Sequence, residues 1–426
     1  MSELWFNKLP SGWVPRRVKT ISPVMRGASP RPIDDPIYFD DDGEFAWVRI
    51  SDVTLSNGRL EQTVQRLSGL GALKSVKLEP GKLFLSIAGS VGKPCITAIK
   101  ACIHDGFVYF PYLPQTSQKY LYWIFESREC FSGLGKLGTQ LNLNTETVGN
   151  ISIPFPPLDT QKAIADFLDS ETARIDQLIE KKQRLMELVK ESELAHIAHK
   201  FSQLDARTWR ARHLGKLRNG AGFPVDLQGD PSQDIAFFKV KHLKVHGLDA
   251  AITDTTDTVS EETARSLRAT VFPKGTIVFA KIGAALLLGR FSMLGRPACI
   301  DNNMSAFVPN ERLIEPNFAL LGLSQAEMTT MVQPGAVPSL STEAFYSFGI
   351  PLPSKEAQRN FVDEFRSWRA TTVQIVGKTQ QSIARLQEFR SALITAAVTG
   401  QIDVATWGKQ GQTDRRLEVI EEAMRA

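Results

Sequence analysis

The feature that most limits how this chain can fold is an internal repeat. Ile153-Pro154-Phe155-Pro156, followed by Gln161-Lys162, returns as Ile350-Pro351-Leu352-Pro353, followed by Gln358-Arg359. The same offset lays Ala101-Cys102-Ile103 on Ala298-Cys299-Ile300, and Thr145-Glu146 on Thr342-Glu343. Upstream the offset drifts while the pattern persists. Ala46-Trp47-Val48-Arg49-Ile50 matches Ala236-Phe237-Phe238-Lys239-Val240, and Pro80-Gly81-Lys82-Leu83-Phe84 with Gly89 matches Lys274-Gly275-Thr276-Ile277-Val278 with Gly283. Separated matches in one order are hard to obtain by chance, so the chain is two copies of one unit. Its 426 residues also exceed a single ordinary core.

Each copy divides in the same way. Short β-branched and aromatic runs such as Phe45–Ile50, Leu83–Ile87, Phe237–Val240 and Thr276–Ala280 alternate with Gly, Pro and Asn turns. Helical stretches at Gln118–Cys130 and Asn317–Met331 make the module mixed. After the proline-rich strand the period changes to helical. Leu168, Ile175, Leu178, Leu185 and Val189 form one stripe, interrupted by polar Glu171 and Lys182; Phe365, Trp368, Thr372, Ile375, Thr379, Ser382, Leu386, Phe389 and Leu393 occupy the same register in the other copy. Pro157 and Ser354 take the cap positions, with Asp159 and Glu356 in the first turns, where carboxylates favour the positive end of the helix dipole.

Stripes of this length require a partner helix, and two copies related by a pseudo-two-fold axis pair their helices antiparallel. The predicted class is therefore α+β: two pseudo-symmetric mixed α/β modules, 1–155 and 204–352, separated by two long helices, 156–203 and 353–403, that form an antiparallel coiled coil. A tail, 404–426, follows, with Leu417, Ile420 and Met424 at helical spacing.

A net charge of +4 excludes a uniformly basic coat, so a nucleic-acid surface has to come from local clusters. Residues 1–33 carry Lys8, Arg16, Arg17, Lys19, Arg26 and Arg31 against Glu3 alone. A second cluster, Arg207 to Lys244, opens the other copy. Taken singly, such runs are most often solvated faces. Cys95, Cys102, Cys130 and Cys299 show no paired spacing, and Ile282–Gly289, the most apolar window, is too short to span a bilayer. A reducing cytoplasm and no membrane association are expected.

Together these features resemble the specificity (S) subunit of type I restriction-modification systems. The carriers are Leu9-Pro10-Ser11-Gly12-Trp13, then Pro154-Phe155-Pro156-Pro157-Leu158 with Gln161, then Pro351-Leu352-Pro353 with Gln358, and finally Ala397-Val398-Thr399-Gly400-Gln401-Ile402. Coverage runs through residues 1–403. Two departures stand out: Thr160 and Ala357 precede the glutamines where the family often has an acid, and Trp209-Arg210-Ala211-Arg212-His213-Leu214-Gly215 lacks the full Pro-x-Gly-Trp opening. The resemblance implies that each module is a target recognition domain reading one half of a split site in double-stranded DNA, while the helices set the spacer. It also implies methyltransferase subunits that modify adenines and restriction/translocase subunits that join for cleavage.

Catalytic motifs are not found. The Pro156-Pro157 pair lies between Phe155 and Leu158, unlike the Asn/Asp-Pro-Pro-aromatic segment of an adenine methyltransferase. Gly89-Ser90-Val91-Gly92-Lys93-Pro94 lacks the first glycine and the final Ser/Thr of a phosphate loop. Gly133-Leu134-Gly135-Lys136-Leu137-Gly138 has the dinucleotide spacing without a strand before it, and reads as a loop. His196 and His199 share a helix face but have no third ligand, so an exposed face is expected rather than a metal. His104-Asp105 aligns with Asp301-Asn302, so a base is not duplicated, and the acids of 34–44 read as a solvated loop. No catalytic residue, metal or cofactor is expected.

Lys and Arg on phosphates supply affinity, and side chains reaching base edges supply specificity. The candidates are Arg17, Arg26, Arg31, Arg49, Ser90, Lys93, Gln140 and Asn142 in the first copy, and Arg218, Lys239, Lys241, His242, Lys281 and Arg290 in the second. Ser90 and Lys93 align with Ala284 and Leu287, so two different half-sites are expected. Rival readings are the specificity subunit of another restriction-modification class and a coiled-coil scaffold that binds protein only.

Overall fold

The computed structural model describes residues 4–6, 8–134, 143–243, 251–253, 256–333 and 335–425. The first copy contains β1 (Val14–Arg17), β2 (Met25–Arg26), β3 (Phe45–Val48), α1 (Ile50–Leu55), β4 (Arg59–Leu60), β5 (Gln65–Leu67), α2 (Gly69–Leu73), β6 (Val76–Leu78), β7 (Leu83–Ser86), β8 (Pro94–Thr97), β9 (Ala101–Ile103) and β10 (Phe107–Tyr109). It continues through α3 (Gln115–Glu126), α4 (Thr145–Asn150), β11 (Ser152–Phe155) and the long α5 (Leu158–Ser202). The second copy contains β12 (Thr208–Arg210), α6 (Ala211–Leu214), β13 (Gly215–Asn219), β14 (Ile235–Phe238), β15 (Ala251–Ile252), β16 (Thr258–Val259), α7 (Glu261–Ser266), β17 (Ile277–Ala280), α8 (Ala284–Leu287), β18 (Phe291–Leu294), β19 (Ala298–Ile300) and β20 (Met304–Pro309). Then come α9 (Pro316–Leu323), β21 (Val332–Gln333), β22 (Ser339–Leu340), α10 (Thr342–Ser347), β23 (Gly349–Pro351), the long α11 (Lys355–Val398), and α12 (Val404–Lys409) with α13 (Gln412–Arg425).

The sheets repeat as the sequence does. A five-stranded sheet, β2-β10-β7-β8-β4, is matched by β13-β20-β17-β18-β15; a second sheet, β5-β3-β9-β6, is matched by β16-β14-β19; and the ribbon β1-β11 is matched by β12-β23. Two-residue alternation explains why these strands are apolar on both faces. In β7, Leu83 and Leu85 face the core that includes α3 and the long helices, while Phe84 faces the layer between the sheets with Ala46, Val48, Ala101 and Ile103. In β17, Ile277 and Phe279 take the first role and Val278 and Ala280 the second.

The chain folds into two compact units, Met1–Gln183 with Lys378–Ala426, and Arg184–Gly377. In the first, the start of α5 packs on the end of α11: Ile164, Leu168 and Ile175 share a core with Leu386, Leu393, Ile394 and Val398. In the second, the end of α5 packs on the start of α11, where Ile197 and Phe201 meet Phe361, Val362 and Phe365. Within the second unit Glu193 pairs with Arg369 and Lys200 with Glu364, so one number falls as the other rises and the contact is antiparallel. Leu185 and Ile375 depart from the predicted stripes, being 43% and 44% exposed. Two helices in contact bury only a narrow seam, and a wider stripe is covered only where a module lies over it.

The recurring glutamine explains how each long helix begins. Gln161 is fully buried; its amide donates to Pro156 O (2.8 Å) and its Oε1 accepts from Ser117 Oγ (2.8 Å), tying α5 to α3. Gln358 is equally buried, donates to Pro353 O (3.0 Å) and Leu313 O (3.1 Å), and accepts from Glu315 N (2.8 Å) at the cap of α9. Ser354 Oγ caps α11 by accepting from Ala357 N at 3.2 Å.

Candidate nucleic-acid interface

Strands β3 and β9 are parallel neighbours, so they finish at the same end and place Arg49 beside His104 and Asp105. The turn from β7 to β8 reaches that end too: Ile87 N donates to Gly106 O (2.9 Å), Ser90 Oγ and Thr54 Oγ1 share a hydrogen bond (3.0 Å), and Lys93 Nζ donates to Thr54 O (2.8 Å). The chain leaving β2 crosses the same place, with Gly27 N donating to Phe107 O (2.9 Å) and Ala28 N to Ile103 O (3.1 Å). Here the glycine is required, because a Cβ on Gly27 would press into the carbonyl oxygens of Ile103 and His104. The fold thus gathers Arg26, Arg31, Arg49, Ser90 and Lys93. Arg17 is not brought with them; it lies on the ribbon, opposite Ser152.

The second copy repeats the construction. Parallel β14 and β19 set Lys239, Lys241 and His242 beside Asp301, and Lys281 N donates to Asn303 O at 2.9 Å. Arg218 stands opposite Ala306 on the adjoining strand pair, and Arg290 closes the turn into β18. Gly220 occupies the place of Gly27, against the carbonyls of Ile300 and Asp301. The β17–β18 turn, however, carries α8 with exposed Leu287 and Leu288, where the first copy has Ser90 and Lys93.

The gathered cations differ in how far their charge is available. Arg31 pairs with Asp105 at 3.0 Å, and Arg26 donates to the Asp105 carbonyl. Burial would raise the Asp105 carboxyl, but Ser29, Arg31, Arg26 and His104 together hold it below its ordinary value. Lys239 pairs with Asp257 (2.9 Å), donates to Gln228 (2.6 Å) and lies over the Phe223 ring at 5.2 Å; Lys241 reaches Asp257 at 3.3 Å. Burial pushes the Asp257 carboxyl up, yet hydrogen bonds from Lys239, the Gly229 amide and Lys241 outweigh it and hold it at about 2. The side chains of Arg17, Arg49, Arg218, Lys281 and Arg290 make no hydrogen bond or ion pair among the described residues.

His104 has its pKa lowered by burial below the ordinary value, with Asp105 opposing this and Arg49 adding to it. Its Nδ1 accepts from Gly106 N at 2.8 Å, a turn-forming role. His242 Nδ1 likewise accepts from Lys239 N at 2.9 Å, where the first copy has Asp52 accepting from Arg49 N at 2.8 Å. His196 corrects an expectation. Instead of lying on an exposed face, its ring stacks on Trp368 at 4.2 Å and 4°, while His199 is exposed beside Gln203. Among the described residues no group of three or more His, Cys, Asp or Glu could hold a metal, and no helix is long and apolar enough to cross a membrane.

Gln140, Asn142 and the glycine run from Gly135 to Gly138 lie outside the described residues. Sequence reasoning overlooked Asp257 and Phe223, which decide how far Lys239 and Lys241 are available. Neither stands near the lysines in the chain, and no local pattern marks them.

Two copies of one mixed module, each with cations at one end and each leading into a long helix, define a class: duplicated proteins of two mixed α/β modules and two long helices. A model of the type I restriction modification DNA specificity domain matches residues 10–188 and 233–385, and the chain belongs to that family. The type I restriction enzyme MjaVIII specificity subunit of Methanocaldococcus jannaschii is 23% identical over 309 residues, which cover 67% of this chain and 70% of that protein. A chain from a structure of type I R-M system assembly and conformational transition has a TM-score of 0.72 at 16% identity, covering 93% of this chain and all of that one. The HsdS subunit from Thermoanaerobacter tengcongensis has a TM-score of 0.53 at 16% identity, covering 93% and 99%. These likenesses are to the fold.

Proposed function

We propose that this chain is the non-catalytic reader of a type I restriction-modification complex, recognising a bipartite, asymmetric site in double-stranded DNA. Residues 1–155 and 204–352 are the two target recognition domains, helices 156–203 and 353–403 set the unread spacer, and 404–426 is an appended tail. Methyltransferase subunits methylate adenines where the chain directs them, and restriction/translocase subunits cleave. Such a complex works on cytoplasmic DNA.

One observation carries this reading: the same end of both copies collects cations while the side chains between them differ, Ser90 and Lys93 against Ala284 and Leu287. Equivalent frames with unequal linings suit two different half-sequences. Arg17, Arg49, Arg218, Lys281 and Arg290, whose charge is available, take phosphates. Ser90, Lys93, Arg26, Arg31, Lys239, Lys241 and His242 stiffen the frame or meet the groove, and Gln140 and Asn142 are further candidates for DNA contact.

Reconstitution with a methyltransferase subunit, followed by mapping of methylated adenines, is expected to return two unlike half-sites around a fixed gap. Arg49→Ala and Lys281→Ala are each expected to reduce the slope of log affinity against log salt by about 1. A palindromic or contiguous target contradicts the two-headed reading, and absence of salt-dependent DNA affinity favours a protein-binding scaffold.

A further inference from the structure

We propose that the edge running from the end of α1 through β4, Leu55 to Val64, reads base edges of the first half-site. This rests on the DNA-reading function above and assigns part of its specificity to residues outside the cationic cluster.

Leu55 and Val64 are 81% and 83% exposed. Single exposed apolar residues are ordinary. These two line one concavity of about 640 Å³ together with Asp52, Asn57, Arg59, Glu61 and Gln62. Its backbone is held firmly: Arg59 N donates to Ser56 O (2.9 Å), Ser56 Oγ to Val53 O (3.0 Å), and Thr63 Oγ1 to Gln65 O (2.6 Å). Arg59 and Leu60 are also paired with Ile96 and Thr97 of β8. A reader on fixed backbone loses little entropy when it binds.

Charge decides which part of DNA fits. Arg59 pairs with Glu61 at 3.3 Å, while Asp52, also on the lining, accepts from the Arg49 amide at 2.8 Å, so the concavity is mildly acidic and would repel a phosphate. Lys93 bonds to Thr54 O, one residue before Leu55, and places a cation at the rim. A centre that rejects phosphate beside a positive rim complements a major groove, where base edges lie between phosphate rows. The residue types match base chemistry as well. Amides of Asn57 and Gln62 suit adenine, Arg59 suits guanine, Glu61 suits the cytosine amine, and Leu55 and Val64 suit a thymine methyl.

The test uses the full chain and its mapped site, with duplexes carrying each single base-pair change in both half-sites. Gln62→Ala, Arg59→Ala and Leu55→Ala are each expected to lose about tenfold or more of discrimination at a pair in the first half-site. Discrimination in the second half-site should not move, and Gln62→Ala and Leu55→Ala should keep the salt slope. Arg49→Ala should do the reverse, lowering the slope and sparing discrimination. Unchanged unfolding midpoints confirm that these exposed substitutions leave the fold intact. Specific binding with unaltered discrimination in all three variants overturns this assignment alone, whereas a wild-type chain that never discriminates between duplexes overturns the DNA-reading function with it.

Discussion

Arg390 on α11 forms an ion pair with Asp176 on α5, its Nε 2.9 Å from Oδ1, across the helix pair of the first unit. Its Nη1 reaches Glu126 at the end of α3, 3.3 Å away. One guanidinium therefore joins both long helices to the module, and it does so with three quarters of its side chain out of solvent.

Replacing Arg390 by alanine leaves Asp176 and Glu126 without their cation at a half-buried place. Partial solvent access moderates the penalty of a fully buried pair, so the expected loss is about 2 kcal/mol. Denaturant unfolding measures it, and a double-mutant cycle with Asp176→Asn should recover much of the loss as coupling. A loss below about 0.5 kcal/mol would make the contact a surface ornament.

Gln358→Ala strips partners from Glu315 N, Leu313 O and Pro353 O at a fully buried position, while Gln161→Ala strips Ser117 and Pro156. Each orphaned buried group is costly, so the first variant is expected to lose about 3 kcal/mol and the second somewhat less. Equal midpoints for both variants and wild type in urea would refute the helix-start lock.

Gly27→Ala and Gly220→Ala test the repeat itself. In each copy the new methyl meets two backbone carbonyls, which cannot swing aside as a flexible side chain can. Both are expected to destabilise by about 2 kcal/mol or more, judged by thermal unfolding. If one of the pair is neutral, the two crossings are not equivalent.

Asp257 predicts a pH dependence. Its folded pKa of about 2 lies below the ordinary 3.8, so its contribution is present above the unfolded value and is lost as pH falls through that window. Asp257→Asn is therefore expected to be less stable than wild type at pH 7, the gap closing as pH drops from about 4 toward 2. Urea midpoints across that range check it; a gap that stays constant contradicts the ion-pair account.

The repeat was legible because matching strands and helix starts use the same residue types in the same order. The sheet pairings obey it: Ala46 meets Ala101, and Ala236 meets Ala298. Helix starts were legible from Pro157, Ser354 and the two glutamines, although the partners of those glutamines were not. The 55–64 edge was not legible, since nothing in its sequence says that Leu55 and Val64 would remain uncovered.

Local pattern alone determined the doubling, the alternation of strand and helix, and the places where two long helices begin, because period and turn chemistry act over a few residues. Tertiary structure decided which charges stay available and which apolar groups are covered. Lys239 is neutralised by Asp257, Arg390 by Asp176, and His196 is covered by Trp368, while Leu185 and Ile375 are not covered. Each of these depends on what folding brings within a few ångströms, and Coulomb attraction and burial respond to that distance rather than to separation along the chain.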